Sequence, residues 1–163
     1  MKRNTVFIVI TLIILGGLGL MWMSQPSNTG SSTTNATASK SSAALVAEVG
    51  QYDFGTININ GGNVTTEFPV TNTGEEPIVI LDGTTSCACT KAEIESIGFD
   101  MHNGMKQKVT IQPGETKMLT TTYDPLFHGP NSIGKITREV ILKTNSVVTP
   151  EVRMRFAADV IKG

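Results

Sequence analysis

The sequence predicts an all-β protein, an immunoglobulin-like antiparallel sandwich of about seven strands, preceded by one transmembrane helix and a disordered linker. Three observations lead to this prediction. Apolar and polar residues alternate with a period of two over much of the chain, turns rich in glycine, proline and asparagine separate these stretches, and no convincing amphipathic helix lies between them. A charge-free apolar run near the N-terminus predicts the helix.

The N-terminal run covers residues 6–23 and follows Lys2 and Arg3. At 1.5 Å per residue, about 18 residues span roughly 27 Å, which is close to the ~30 Å hydrocarbon thickness of a bilayer. The apolar core of a cleaved signal peptide is usually only ~7 to 15 residues long, so the length favours an uncut anchor over that alternative. We therefore expect residues 1–23 to be a signal anchor that crosses the plasma membrane once. The basic residues before it place the C-terminal part outside the cytoplasm.

Residues 24–44 have the composition of a flexible linker. The segment contains seven serines and four threonines, and its only charged residue is Lys40. Such a segment buries too little apolar surface to fold by itself. A flexible chain of about 21 residues has an r.m.s. span of roughly 25 Å, so it would tether a domain close to the membrane surface.

Residues 45–163 have the size of one globular domain. They carry ten basic and fourteen acidic residues, a net charge of −4. This balance argues against nucleic acid as a partner, because nucleic-acid binding surfaces are basic. One domain of the predicted sandwich is therefore the expectation for this part of the chain.

Five stretches of this domain are predicted strands. In chain order they are residues 64–71, 77–81, 116–124, 135–144 and 152–160. Residues 77–81 are continuously apolar, as in a buried strand, and the other four stretches alternate. In residues 135–144, Ile136, Val140 and Leu142 share one face. Gly74 fits a turn position that needs a positive φ. Residues 91–107 are long for a hairpin loop, and a helical turn is expected over residues 92–96.

Cys87 and Cys89 are the only cysteines. In an extended strand their Cα atoms would be about 6.6 Å apart, at the loose end of the ~4.4 to 6.8 Å range for disulfides. A disulfide between them therefore requires a local turn, and a bond in so short a loop would be reducible. Outside the cytoplasm oxidation is the default. The alternative is an open strand that leaves two parallel thiolates suited to a soft metal.

Other soft ligands suggest a metal site. Thiolate, thioether and imidazole together favour Cu(I) over hard ions. Zn(II) held by two cysteines and two histidines fits the composition, but the spacing matches no zinc signature. The candidate ligands are Cys87 and Cys89, with Met101, His102, Met105 and His128 to complete the site.

Several short motifs resemble a known family. In chain order they are YDFGTI at 52–57, VTNTG at 70–74, TSCACT at 85–90, QPGE at 112–115, YDP at 123–125, HG at 128–129 and TN at 144–145. Together they resemble the bacterial immunoglobulin-like families of unknown function that are related to major-sperm-protein and abnormal-spindle/hydin domains. The resemblance spans about residues 49–160 and implies a structural or assembly module. The Cys-x-Cys motif is the most specific feature of the resemblance. Residues 98–107 depart from the pattern of the family, because they are richer in methionine and histidine than a plain turn.

The sequence predicts a binding module rather than an enzyme. It contains no phosphate-binding loop, metalloprotease helix or serine elbow. We expect a membrane-anchored extracytoplasmic module that binds a protein partner or serves envelope assembly. The alternative is a soft-metal or thiol-redox protein that uses Cys87 and Cys89.

Overall fold

The computed structural model describes residues 39–163, which form ten β-strands and no helix. The predicted anchor and the linker up to residue 38 lie outside the described residues. Among residues 39–163 there is no helix of the length and apolarity that a membrane crossing requires. The all-β prediction for the domain is confirmed.

The strands form two five-stranded sheets. The first has the order β1-β3-β8-β5-β6 and the second β2-β10-β9-β4-β7. The bounds are β1 Leu45–Ala47, β2 Gln51–Asn58, β3 Val64–Asn72, β4 Ile78–Thr85, β5 Thr90–Ile94, β6 Ile97–Asp100, β7 Val109–Ile111, β8 Thr116–Tyr123, β9 Gly134–Thr144 and β10 Glu151–Ile161. The expected number of strands was too low. Strands β1, β6 and β7 have only three or four residues, too few for alternation to be recognised.

One strand pair departs from the antiparallel expectation. Strand β2 runs parallel to β10, with Arg155 opposite Gln51, while all the other strand pairs of residues 39–163 are antiparallel. Apolar alternation shows which face of a strand is buried but carries no information on strand direction. The sequence could therefore predict a strand here without predicting its orientation.

The core lies between the sheets, where the alternating residues face inward as predicted. Phe68 of β3, Leu119 of β8 and Phe156 of β10 are fully buried. The ring of Tyr123 in the first sheet packs 5.5 Å from that of Phe156 in the second. Each buried side chain of this size contributes about 1.5 to 3 kcal/mol relative to an exposed one. Alternation on the long strands thus accounts for the sandwich.

Strands β5 and β6 form a hairpin where a helical turn was expected. Glu95 and Ser96 connect them, with φ values of 51° and 65°. Two consecutive positive φ angles are typical of a type I′ turn, which fits the twist of a two-residue hairpin. The prediction of a helical turn was wrong because such hairpin turns usually have Asn-Gly or a related pair as their signal, and Glu95-Ser96 is not such a pair.

The last residues of the predicted linker pack against the sandwich. Ser41 and Ala43 are only 3% and 4% exposed. A side-chain carbon at Gly74 would lie 2.6 Å from the Ala43 Cα atom. The φ of Gly74 is not positive, so the turn expectation was wrong in its reason. Glycine is needed there because another segment of backbone approaches closely.

Candidate functional site

The Cys-x-Cys segment is the connection between β4 and β5. The buried Thr85 hydroxyl donates to the carbonyl oxygens of Cys87, at 3.0 Å, and of Thr90, at 3.1 Å. The Thr90 N–H also donates to the Cys87 carbonyl oxygen at 3.0 Å. This turn brings the Cα atoms of Cys87 and Cys89 to 5.2 Å, and their sulfurs are joined in a disulfide. The structure thus contains the turn that a disulfide requires.

Strand β9 holds the start of this connection. The Ser86 N–H donates to the Glu139 carbonyl oxygen at 3.0 Å, and the Ser86 hydroxyl oxygen accepts from the Glu139 N–H at 2.8 Å. The preceding residue on β9, Arg138, donates from Nε to the Cys89 sulfur at 3.3 Å. The two contacts place a guanidinium next to the inner sulfur of the disulfide.

The loop between β8 and β9 brings His128 to the other sulfur. The Asp124 N–H donates to the Cys89 carbonyl oxygen at 2.9 Å, which ties the loop to the disulfide segment. The Asp124 carboxylate accepts from the Leu126 N–H at 2.9 Å and starts the bend. His128 Nε2 then lies 3.2 Å from the Cys87 sulfur. The Phe127 ring meets the His128 ring edge-on, with centroids 5.1 Å apart.

The two sulfurs have different environments. Cys87 is partly exposed, whereas Cys89 is only 2% exposed. The positive charge of Arg138, which contacts the Cys89 sulfur, also acts on Tyr123. Burial raises the pKa of the Tyr123 phenol, and the charge of Arg138 opposes this effect. The phenol is therefore neutral at ordinary pH. The cation near the buried sulfur favours a thiolate when the disulfide opens.

Three of the six predicted ligands come together. The Sγ atoms of Cys87 and Cys89 and a ring nitrogen of His128 all lie within 4.8 Å of one another. His102 does not belong to this group. It follows β6, which lies on the opposite side of β5 from β8 and the His128 loop. Among residues 39–163, His128 is therefore the histidine that is placed to complete a site with the cysteines.

The two methionines have other surroundings. Met101 is 49% exposed in the loop after β6. The backbone N–H of Met105 donates to the Asp82 carboxylate at 3.0 Å, and the Met105 side chain packs against the core. Asp82 precedes the end of β4 by three residues, which is roughly 10 Å along a strand. Met105 is thus fixed beside the middle of β4 and not at its cysteine end.

Arg138 is the site residue that sequence reasoning missed. It has the same parity on β9 as the inward-facing Ile136 and Val140. A charged residue at a core-facing position is unusual unless it has a partner. That break in the alternation is the signal that could have identified it.

The family follows from comparison of the sequence with family models. A model described as "Protein of unknown function (DUF1573)" matches residues 45–160. The chain belongs to the DUF1573 family. The match includes both cysteines, His128 and Arg138. It confirms the resemblance to a bacterial domain family of unknown function.

Solved structures are similar to this DUF1573 domain in fold. A protein of unknown function from Porphyromonas gingivalis W83 has 17% identity and a TM-score of 0.58, over 78% of this chain and 51% of that one. The chain thus spans about half the length of that protein. PapD-like domain 7 of human CEP192 has 9% identity and a TM-score of 0.45, over 86% and 99% of the two chains. The CooA pilin subunit of enterotoxigenic Escherichia coli has 11% identity and a TM-score of 0.45, over 74% of this chain and 99% of that one. No curated protein matched the sequence.

Proposed function

We propose that this DUF1573 protein is a membrane-anchored extracytoplasmic module that binds a protein partner in the bacterial envelope, and that the Cys87–Cys89 disulfide is its redox-active element. The observation that carries the proposal is the placement of the disulfide between two polar side chains. His128 contacts one sulfur and Arg138 the other. A disulfide that served only as a covalent link would need neither neighbour.

The energetics argue against a purely structural disulfide. In the chain-entropy model, a bond that closes a loop of three residues stabilises the fold by about 1.6 kcal/mol, against about 3 kcal/mol for a loop of 15 residues. The sandwich already has a continuous core that includes Phe68, Leu119 and Phe156. A link across one intervening residue adds little to such a core. A redox role of the Cys87–Cys89 disulfide explains its presence better than a structural role.

The expected location supports the same function. The signal anchor over residues 6–23 and the linker after it would hold the domain on the outer side of the plasma membrane. Disulfides form and persist in that environment. There the oxidised state would be the resting state, and reduction would require a thiol donor.

Binding of a soft metal is the second candidate function. The convergence of Cys87, Cys89 and His128 favours it, because two thiolates and an imidazole suit Cu(I). The sulfurs can bind an ion only when the disulfide is reduced. The disulfide form and the metal-bound form would therefore exclude each other. His102 lies outside the group, so the described residues supply only three donors of this kind instead of the four of a structural zinc site.

Labelling of thiols in intact cells tests the proposed location and redox state. Cells that produce the full chain are treated with a membrane-impermeant maleimide that adds mass, before and after an impermeant phosphine reductant. We expect two labels only after reduction, and none on the Cys87→Ser, Cys89→Ser double variant. Labelling that needs cell lysis would contradict the extracytoplasmic location. Two labels without reductant would contradict a disulfide resting state.

Anaerobic titration with Cu(I) tests the metal function. The reduced full chain in detergent is titrated against a chromophoric Cu(I) chelator, and the double cysteine variant is titrated in parallel. We expect one equivalent of Cu(I) to bind to the natural chain at the site. Equal uptake by the two proteins would exclude this function.

A further inference from the structure

We infer that thiol–disulfide exchange on this chain proceeds through the Cys87 sulfur alone, that Arg138 holds the Cys89 sulfur as the released thiolate, and that the exchanging partner is a dithiol protein. The inference rests on the proposed redox role and adds to it the reacting atom, a positioning residue and the class of partner. Three features of the molecule support it: access to the sulfurs, the charge beside them, and the loop around them.

Access distinguishes the two sulfurs. An attacking thiolate approaches a disulfide sulfur on the side opposite the bond that breaks, so its target must be open to solvent. Cys89 is 2% exposed, and its carbonyl oxygen is covered by the N–H of Asp124. Cys87 is partly exposed. Of the two cysteines, Cys87 is therefore the one that is more open to an incoming thiol.

Charge favours the same direction of bond cleavage. When the Cys87 sulfur is attacked, the electron pair of the broken bond goes to the Cys89 sulfur. Arg138 Nε already donates to that sulfur at 3.3 Å. A hydrogen bond to an ionised acceptor is roughly twice as strong as a neutral one, so this contact strengthens as the thiolate forms. Arg138 therefore stabilises the leaving group and positions it, without touching the partner.

The exchange balances without any other reactant. One thiol of the partner loses its proton to solvent, and the resulting thiolate forms a bond to the Cys87 sulfur while the Cys87–Cys89 bond breaks. The second thiol of the partner also loses its proton to solvent. The second thiolate of the partner then attacks the partner's first sulfur and releases Cys87. Cys87 and Cys89 end as thiols after proton uptake from solvent. The chain gains two electrons, and the partner becomes a disulfide.

The surface around Cys87 fits a protein. Leu126, Phe127 and Ile133 are 45%, 51% and 56% exposed on the loop that carries His128. Phe127 also contacts the His128 ring, so this apolar surface adjoins the reactive bond. Exposed apolar side chains that share one loop beside a reactive bond fit a protein interface. A small hydrophilic thiol such as glutathione gains little from them, whereas a dithiol protein buries them as it reaches Cys87.

Single-thiol variants test which sulfur reacts. The Cys89→Ser variant keeps Cys87, and the Cys87→Ser variant keeps Cys89; both full-length proteins react with an aromatic disulfide reagent under native conditions and in guanidinium. We expect Cys87 to react at least tenfold faster than Cys89 in the folded proteins, and equally when they are unfolded. Native Cys89 that reacts as fast as Cys87 would overturn the inference. Circular dichroism checks that both variants fold.

Substitution of Arg138 tests the leaving-group role. The probe is a reduced thioredoxin-type protein, and the first readout is the rate at which it reduces the Cys87–Cys89 disulfide. The second readout is the equilibrium constant for reduction of this disulfide by glutathione. We expect Arg138→Gln to lower both about tenfold, the worth of one hydrogen bond to a charged group, and Arg138→Lys to restore most of the loss. Arg153→Gln on β10 is the control, since Arg153 bonds Glu139 and Glu151 and not the sulfurs. Values for Arg138→Gln equal to those of the control would overturn the role of Arg138.

The choice of partner is tested by a ratio of rates. The disulfide is reduced by the thioredoxin-type protein or by glutathione in the natural chain and in the Phe127→Ser variant. We expect the variant to lower the ratio of the protein rate to the glutathione rate at least fivefold. An unchanged ratio would overturn a protein partner on this loop. If no probe reduces the natural chain, the proposed redox function itself fails; if reduction occurs without preference for Cys87, only the present inference fails.

Discussion

Arg138 Nε lies 3.3 Å from the Sγ atom of Cys89, the buried sulfur of a disulfide between residues separated by only one other. The partner sulfur, on Cys87, lies 3.2 Å from His128 Nε2. Each sulfur thus has its own polar neighbour, supplied by β9 in one case and by the loop before β9 in the other. This arrangement is what turns a Cys-x-Cys phrase into a candidate reactive site.

The two histidines should differ in their effect on Cu(I) binding. His128→Ala removes the imidazole that lies with the cysteines in the described part of the chain, and we expect it to weaken Cu(I) binding by the reduced full chain about 10- to 100-fold. His102→Ala is the matched control, since His102 is outside the ligand group. Competition with a chromophoric chelator measures both. Equal losses, or a larger loss with His102→Ala, would contradict the site as described.

Gly83→Ala should destabilise the sandwich. An added carbon at Gly83 would lie 2.7 Å from the ring of Phe99, which is buried across the core and cannot move into solvent. We expect a loss of about 1 to 3 kcal/mol in the free energy of unfolding, measured with urea. Gly98→Ala is the matched control, because its nearest atom would be 4.0 Å away. A similar stability for the two variants would contradict the packing of β4 against β6.

The contact of Glu76 with the segment before β1 should depend on pH. The N–H of Ser42, followed by its hydroxyl, holds the pKa of the Glu76 carboxyl below its ordinary value. The stabilisation from this contact is therefore complete above about pH 4.5 and is lost as the pH falls through the lower native value. We expect Glu76→Gln to reduce that dependence and to speed hydrogen exchange at Ser42 and Ala43 at neutral pH. Unchanged exchange would show that the carboxylate does not hold the segment.

The folded unit should begin before Leu45. The Ser146 hydroxyl donates to the carbonyl oxygen of Ala43, and both residues are buried. A fragment of residues 45–163 leaves the hydroxyl without this acceptor, so we expect it to be about 1 to 3 kcal/mol less stable than residues 39–163. Urea unfolding followed by circular dichroism measures the difference, and both spectra should be rich in β-structure. Equal stability would contradict the packing of residues 39–44, and a helical spectrum would contradict the fold.

Much of the fold was predictable because alternation is a direct record of burial. Strands β3, β8, β9 and β10 are long enough to show it, and each was recognised close to its observed bounds. The β5–β6 hairpin was not recognised, because its turn is formed by Glu95 and Ser96, and residues of these types rarely adopt positive φ. The parallel pairing of β2 was also hidden, because strand direction depends on the path of the chain through the whole sandwich.

The site was predictable only in part. The closeness of Cys87 and Cys89 in sequence ensured that they would be neighbours in space, but His128 and His102 were equivalent candidates. The sheet order decides between them, since the loops after β8 and β6 lie on opposite sides of β5. No spacing along the chain encodes that choice. Arg138 was recoverable in principle from its inward parity on β9.

A redox titration of the Cys87–Cys89 pair is the most direct test of the central claim. The full chain in detergent is equilibrated with glutathione or dithiothreitol buffers over a range of potentials, quenched with acid and labelled with a mass-adding maleimide. We predict reversible conversion between no label and two labels with a midpoint above about −300 mV, the region of exchangeable rather than structural disulfides. A pair that stays oxidised until well below that potential, or that keeps one state throughout, would contradict the account.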